Sequence, residues 1–280
     1  MNNWEANFGD LLRLALAEDL EPLGDITTNI IIPENLTARL FVQSRKQSGI
    51  MSGSFFIKKL CEFYDKEISI NFSFKDGENF PQETKLIEIS GNARSLLTIE
   101  RLLLNLLQRA ISIATYTGEF IKKIKHTKCK ILETRKTSPG LRMLEKRAVL
   151  DGGASNHRYN LSTGILIKDN HIALAGSIEK AIELAIKNSP YLTKIEVEVD
   201  SLEQLKQALN FKIDVILLDN FSIENIYTAI KLISNKCIIE VSGGINMQNI
   251  KEIAETGVDY ISLGCLTQSP PQIDIGLDFI

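Results

Sequence analysis

Side chains suited to gripping a small, multiply charged molecule are concentrated between Thr134 and His171. They fall in three blocks: Thr134-Arg135-Lys136-Thr137, Asn156-His157-Arg158 and Ile167-Lys168-Asp169-Asn170-His171. The chain as a whole carries a net charge of -3, so this is a local concentration of positive charge in a mildly acidic protein. Arginine offers paired planar hydrogen bonds and lysine a movable point charge, so Arg135, Lys136, His157, Arg158 and Lys168 suit carboxylates. The plain alternative is a solvated basic face. No aromatic interleaving accompanies the basic blocks, which points away from nucleic acid.

Two acids complete the set. Glu198 and Asp219 each close a strongly apolar run, where a carboxylate is costly to bury unless paired. They suit a magnesium ion carried in with a phosphate-bearing substrate, because that cation takes oxygen ligands and keeps several waters. A salt bridge to a neighbouring lysine is the competing reading. Ser242-Gly243-Gly244 and Ser262-Leu263-Gly264 follow the last two apolar runs, where backbone N–H groups commonly make a phosphate site.

The elements that position these residues are legible in outline. Lys130 to Glu133, Gly164 to Ile167, Lys194 to Val199, Asp214 to Leu218, Cys237 to Val241 and Asp259 to Leu263 are short runs rich in Ile, Val and Leu. Such runs suit parallel strands buried on both faces. Helices are expected between them at Ser177 to Lys187, Ser201 to Leu209, Ser222 to Ile233 and Asn246 to Thr256, each opening on a residue that can cap a helix. Ser201 with Gln204 reads as a capping box, and Gly257 as a stop. No Gly-x-Gly-x-x-Gly follows a strand, so a closed or nearly closed α/β barrel fits better than a dinucleotide-binding sheet. Every expected strand then delivers a reactive group to its C-terminal rim.

The first half is an α+β unit. A helix is expected over Asn7 to Glu18, half-exposed strands over Ala38 to Ser44, Ile68 to Phe74 and Thr84 to Ser90, and a helix over Ser54 to Tyr64. A leucine-crowded helix, Ser95 to Ala110, leads out of it and calls for burial against another domain or subunit. With 280 residues, 44% hydrophobic and 24% charged, the chain can bury a full core. It has no stretch reaching the roughly 20 apolar residues of a membrane span and no leader-like start, so no membrane partner and a cytoplasmic location are expected. Cys61, Cys129, Cys237 and Cys265 are widely spaced, and all four read as buried small hydrophobes.

Longer motifs carry a resemblance. Thr134 to Arg142, Gly152-Gly153-Ala154-Ser155-Asn156-His157-Arg158, Leu166 to His171, Leu217-Leu218-Asp219-Asn220 and Ser242-Gly243-Gly244-Ile245 closely resemble the quinolinate phosphoribosyltransferase family. Glu18-Asp19, Gly24 to Thr28 and Gly257 to Ser262 extend it over nearly the whole chain. The resemblance implies an N-terminal α/β sandwich (1–112), an incomplete α/β barrel of the type II phosphoribosyltransferase kind (113–267), and a tail (268–280) returning to the N-terminal domain. It implies a homodimer or higher assembly whose active sites are shared, with Arg101 completing the neighbour's site. The implied reaction joins quinolinate to phosphoribosyl pyrophosphate, giving nicotinate mononucleotide, pyrophosphate and carbon dioxide with magnesium, in NAD biosynthesis. In that frame Arg101, Arg135, His157, Arg158 and Lys168 hold the ring carboxylates, with Lys136 also at the pocket. Glu198 and Asp219 place magnesium and face the ribose, and Ser242, Gly243, Gly244 and Gly264 take the 5'-phosphate. Lys136, Lys168, Glu198 and Asp219 form the catalytic set.

Ala154 and Ile111-Ser112 depart from the family pattern at positions expected to touch backbone packing near the site rather than the charged groups, and Gln268, standing where the family commonly has a histidine, can still donate a hydrogen bond. Three rival readings stand beside the main one: a molybdate-transport-associated paralogue, a barrel aldolase using Lys136 or Lys168 as a Schiff base, and a non-catalytic pyridine-dicarboxylate sensor. Lys168 argues against the first, and the retained Glu198 and Asp219 against the last.

Overall fold

The computed structural model describes residues 3–279; Met1, Asn2 and Ile280, which the expected domains 1–112 and 268–280 include, lie outside them. In chain order come α1 (Asn3–Leu20), α2 (Ile26–Ile31), β1 (Thr37–Ser44), β2 (Gly49–Ile50), α3 (Ser54–Tyr64), β3 (Ser69–Phe72), β4 (Asn79–Phe80), β5 (Lys85–Asn92) and α4 (Ala93–Ile124). Then follow β6 (Lys130–Leu132), α5 (Arg142–Asp151), β7 (Ile165–Ile167), α6 (Asp169–Ala175), α7 (Ile178–Asn188), β8 (Ile195–Val199), α8 (Leu202–Ala208) and β9 (Val215–Asp219). The chain goes on through α9 (Ile223–Ile233), β10 (Ile238–Ser242), α10 (Ile250–Glu255), β11 (Tyr260–Ser262), α11 (Cys265–Gln268) and β12 (Ile275–Phe279). Two compact units result. One takes the described residues up to Gly118, Thr137–Gly153 and those from Leu266 onward; the other takes Glu119–Lys136 and Ala154–Cys265.

The first unit is built on an antiparallel sheet in the order β12-β1-β5-β3. Along β1 the side chains of Leu40, Val42 and Ser44 are buried while their neighbours are not, the period-2 pattern of a one-sided sheet. The helix expected over Ser95 to Ala110 is longer: α4 spans 32 residues. It buries Leu96, Leu103, Leu104, Leu106 and Leu107, each contributing about 1.5–3 kcal/mol, and leaves Arg101 exposed. At Ser112, one of the departures from the family pattern, the hydroxyl accepts the Ile273 N–H at 2.9 Å. Gln268 is exposed at the end of α11.

Residues 137–153 fall within the expected barrel domain 113–267, yet they group with the first unit. Glu145 on α5, fully buried, accepts from Arg109 Nε and Nη2 at 3.0 and 2.9 Å, and Asp151 accepts from Ser52 Oγ at 2.8 Å. A buried carboxylate without those donors would carry a large desolvation penalty, so the segment follows its partners.

The second unit holds six parallel strands in the order β6-β11-β10-β9-β8-β7. Each matches one of the apolar runs. Beyond β6 only an isolated bridge, Leu132 with Ser155, extends the sheet, so among the described residues no ladder joins β6 to β7 and the barrel is incomplete. Ser177, Ser201 and Ser222 cap α7, α8 and α9 by accepting the N–H three residues on. The expected capping box at Ser201 is displaced by one residue, because Gln204 Oε1 accepts the N–H of Asp200 instead. Helix α10 starts at Ile250 rather than near Asn246, whose side chain accepts the N–H groups of Gln248 and Asn249 and spends those residues in a turn. Cys61 and Cys129 are buried, and burial pushes their thiols up to about 12. Cys237 and Cys265 are only half-buried, contrary to expectation, because both sit at the margins of elements. Among the described residues no helix is long and apolar enough to cross a membrane.

Candidate active site

A cavity of about 630 Å³ opens at the C-terminal ends of the six parallel strands. All of the site residues expected from sequence line it except Arg101, which belongs to the first unit. Thr134, Leu166, Leu217, Asn220, Glu240 and Ser262 complete the wall.

The geometry follows from the strand register. Glu198 on β8 stands one strand from Asp219 on β9, and Asp219 stands level with Ser242 on β10. Lys168, just past β7, makes a close ion pair with Glu198. Asp219 accepts from Ser242 Oγ at 2.7 Å through Oδ1 and from Asn220 Nδ2 at 2.8 Å through Oδ2, which fixes its plane. Asn220 itself has φ 57°, stabilised by its N–H bond to Ser242 O at 2.9 Å. Gly243 (φ 87°) has to be glycine: a Cβ there would lie 2.2 Å from Asn220 Oδ1. Lys136 lies over Gly264, where an added Cβ would come 3.0 Å from its Cδ. Glycines thus let backbone approach at the end of the cavity read from sequence as the phosphate site.

The other end is cationic. Arg158 donates to Gly164 O at 2.8 Å, and burial first, then the neighbouring Arg135 charge, draws its pKa below the usual arginine value. Arg135 Nε is buried with no hydrogen-bond partner. A buried guanidinium donor left unsatisfied beside a second guanidinium is costly alone, and an anion is the chemistry that can match it.

Below this wall His157, expected at the pocket, meets two carboxylates that sequence reasoning missed. Nε2 of His157 is 3.2 Å from Glu196 Oε2 and 3.7 Å from Glu240 Oε1, and its Nδ1 accepts the Arg158 N–H at 2.8 Å. An accepting Nδ1 assigns the proton to Nε2, facing the two carboxylates. Those three side chains bring metal-ligand atoms within 4.8 Å of one another, but a protonated Nε2 is no ligand. Burial pushes Glu240 up to about 7, with the Glu196 charge adding to the effect; His157, a hydrogen bond from Ser262 and Lys168 act in the opposite direction. The available signal was a glutamate, Glu240, inside the apolar run Ile238 to Val241, and a second, Glu196, two positions before Glu198 in β8.

The parallel strands form an incomplete six-stranded barrel with a cationic wall at one end of its rim and glycine turns at the other. The C-terminal domain of quinolinate phosphoribosyl transferase matches residues 113–278 and the N-terminal domain residues 25–111. A probable nicotinate-nucleotide pyrophosphorylase (carboxylating) of Methanocaldococcus jannaschii is 42% identical over 279 residues, covering 96% of each chain. The Bacillus subtilis protein of the same description is 40% identical, covering 91% of this chain and 88% of its own. Among solved structures, the nicotinate-nucleotide pyrophosphorylase of Ehrlichia chaffeensis superposes with a TM-score of 0.92 at 40% identity, covering 98% of each chain. That of Francisella tularensis superposes with a TM-score of 0.92 at 39% identity, covering 99% of this chain and 97% of its own. The chain belongs to the quinolinate phosphoribosyltransferase family. Neither the transport-associated nor the sensor alternative is favoured by these relatives.

Proposed function

We propose that the two ends of the rim cavity divide the family's reaction between them. That reaction transfers phosphoribosyl from phosphoribosyl pyrophosphate to quinolinate with loss of carbon dioxide, in NAD biosynthesis. Arg135, Arg158 and Lys168 seat the ring carboxylates, with His157 behind them, and Ser242, Gly243, Gly244 and Gly264 receive the 5'-phosphate. The observation that carries this assignment is the unpartnered buried Nε of Arg135 in the cavity wall. Fixed cations aim the ring nitrogen at the anomeric carbon and spare the site reorganisation as charge develops.

Glu198 and Asp219 would hold magnesium. Two carboxylates facing one cavity suit an ion whose remaining ligands are water and substrate phosphates. Such an ion supplies charge neutralisation for the departing pyrophosphate. Asp219 is held by Ser242 and Asn220, and Glu198 balances Lys168. Lys136, over Gly264, reaches the phosphate end. Arg101, exposed on α4, is assigned to the cavity of a second copy of the chain in a homodimer or higher assembly, and a cytoplasmic location completes the proposal.

Carbon dioxide and pyrophosphate release are measured from phosphoribosyl pyrophosphate with quinolinate or nicotinate, with and without magnesium. Magnesium-dependent release with quinolinate alone is expected; equal turnover of nicotinate would show that the second carboxylate is not required and overturn the assignment of the wall. Mixing Arg101→Ala with Lys168→Ala chains should restore part of the activity through hybrid dimers. No recovery after confirmed subunit exchange removes Arg101 from the site.

A further inference from the structure

Turnover consumes a proton at carbon. When the carboxylate beside the ring nitrogen leaves as carbon dioxide, the C–C bond breaks with its electron pair on the ring carbon, and a C–H bond has to form there. The donor must border the cavity, hold a proton near neutral pH and recover it after each turnover.

Few groups on the wall meet those conditions. Guanidinium groups do not release protons. Lys168 is paired with Glu198, and Lys136 lies over Gly264 at the phosphate end. His157 turns its Nε2 proton towards Glu196 and Glu240 and uses Nδ1 as an acceptor. Glu240 differs from all of these. It projects from the middle of β10, is 3% exposed, and its Oε1 has no hydrogen-bond partner. It also borders two cavities: the rim cavity and a second one of about 310 Å³, which His157, Arg158 and Glu196 line as well. Exposed Thr163 and Lys194 belong to that second wall, so it reaches solvent.

We propose that Glu240 is the acid that protonates the ring carbon after decarboxylation, and that the second cavity is its route to solvent protons. This rests on the cationic wall being the seat of the diacid. The carboxyl O–H bond breaks, its proton forms the C–H bond with the ring carbon's electron pair, and Glu240 is left as a carboxylate facing the His157 Nε2–H and the Lys168 charge. A solvent proton arriving through the second cavity restores the acid. The surroundings of the carboxyl group favour this role, since burial and the Glu196 charge hold Glu240 up to about 7, against the pull of His157, Ser262 and Lys168.

The test compares Glu240→Gln, Glu240→Asp and Arg158→Ala with the intact enzyme, after circular dichroism confirms the fold of each. For Glu240→Gln, kcat should fall by about 100-fold or more, with quinolinate KM within about twofold, and the fall of kcat as pH rises through about 7 should vanish. Glu240→Asp should restore part of kcat and of that pH limb. Unchanged kcat and pH profile in Glu240→Gln would sink the donor assignment, as would a raised KM at unchanged kcat. Arg158→Ala should lose quinolinate binding by calorimetry. Normal binding there removes the seat, and the proposal with it, whereas lost binding with an unaffected Glu240→Gln removes the donor alone.

Discussion

The rim and the floor of the barrel use the same residue types under opposite conditions. At the rim, Lys168 and Glu198 or Asp219 and Ser242 meet at strand ends, partly open to the cavity. On the floor, His157, Glu196 and Glu240 meet where strands pack on both faces, and Glu196 Oε1 and Glu240 Oε1 find no hydrogen-bond partner. Solvent and substrate compensate the rim charges, whereas the buried floor carboxylates, facing one another, respond mainly by holding a proton. Position along a strand, rather than residue type, thus separates a charge that binds from a charge that holds a proton.

The largest effect should come from the rim. Lys168→Ala should lower turnover by about 100- to 1000-fold while the melting temperature stays within about 2 °C; near-normal activity would erase the distinction between rim and floor. On the floor, the expected effect is on stability against pH. Glu240 binds its proton more tightly folded than unfolded, so its stabilisation is complete below about 4.5 and is lost as pH rises towards about 7. The loss is at most about 3 kcal/mol, and Glu240→Gln should flatten the profile in thermal melts between pH 4 and 8. Equal slopes in the two proteins would mean that Glu240 is already ionised when buried. Gly243→Ala should cost about 1–3 kcal/mol in urea denaturation, because φ 87° and the Asn220 contact both oppose a Cβ. Smallest is the exposed pair of Lys251 and Glu255, 3.8 Å apart on α10, where Lys251→Ala should change stability by less than about 0.5 kcal/mol.

The rim was legible because its residues sit in turns after apolar runs, where side chains are not needed for packing. All six parallel strands were visible for a related reason: strands buried on both faces read as nearly unbroken Ile, Val and Leu. That same rule hid the floor: Glu240 interrupts such a run singly, and Glu196 alternates with Glu198 in β8, a pattern that reads as a solvent-facing side although Glu196 is buried. The second half of α4 was missed because Thr115, Thr117 and Gly118 look unfavourable in a helix. Tertiary packing overrides them: Thr117 is fully buried, and a Cβ on Gly118 would strike Ile50 Cδ1 at 2.4 Å. The placement of 137–153 with the first unit depended on Arg109 and Ser52, partners too distant in sequence for any local pattern to reveal.

The antiparallel pairing of β1 with β12 has a consequence for biosynthesis. Arg45 and Asp278, which bond across it, are 233 positions apart. At roughly 5–20 residues per second, β1 leaves the ribosome about 10 to 50 s before its partner strand exists. During that interval one edge of the first sheet is open to other nascent chains. Arg39 is paired with Glu88 of β5, so the charge left at the end of the waiting strand is that of Arg45, and like charges on adjacent nascent chains would keep those edges apart until Asp278 arrives with β12.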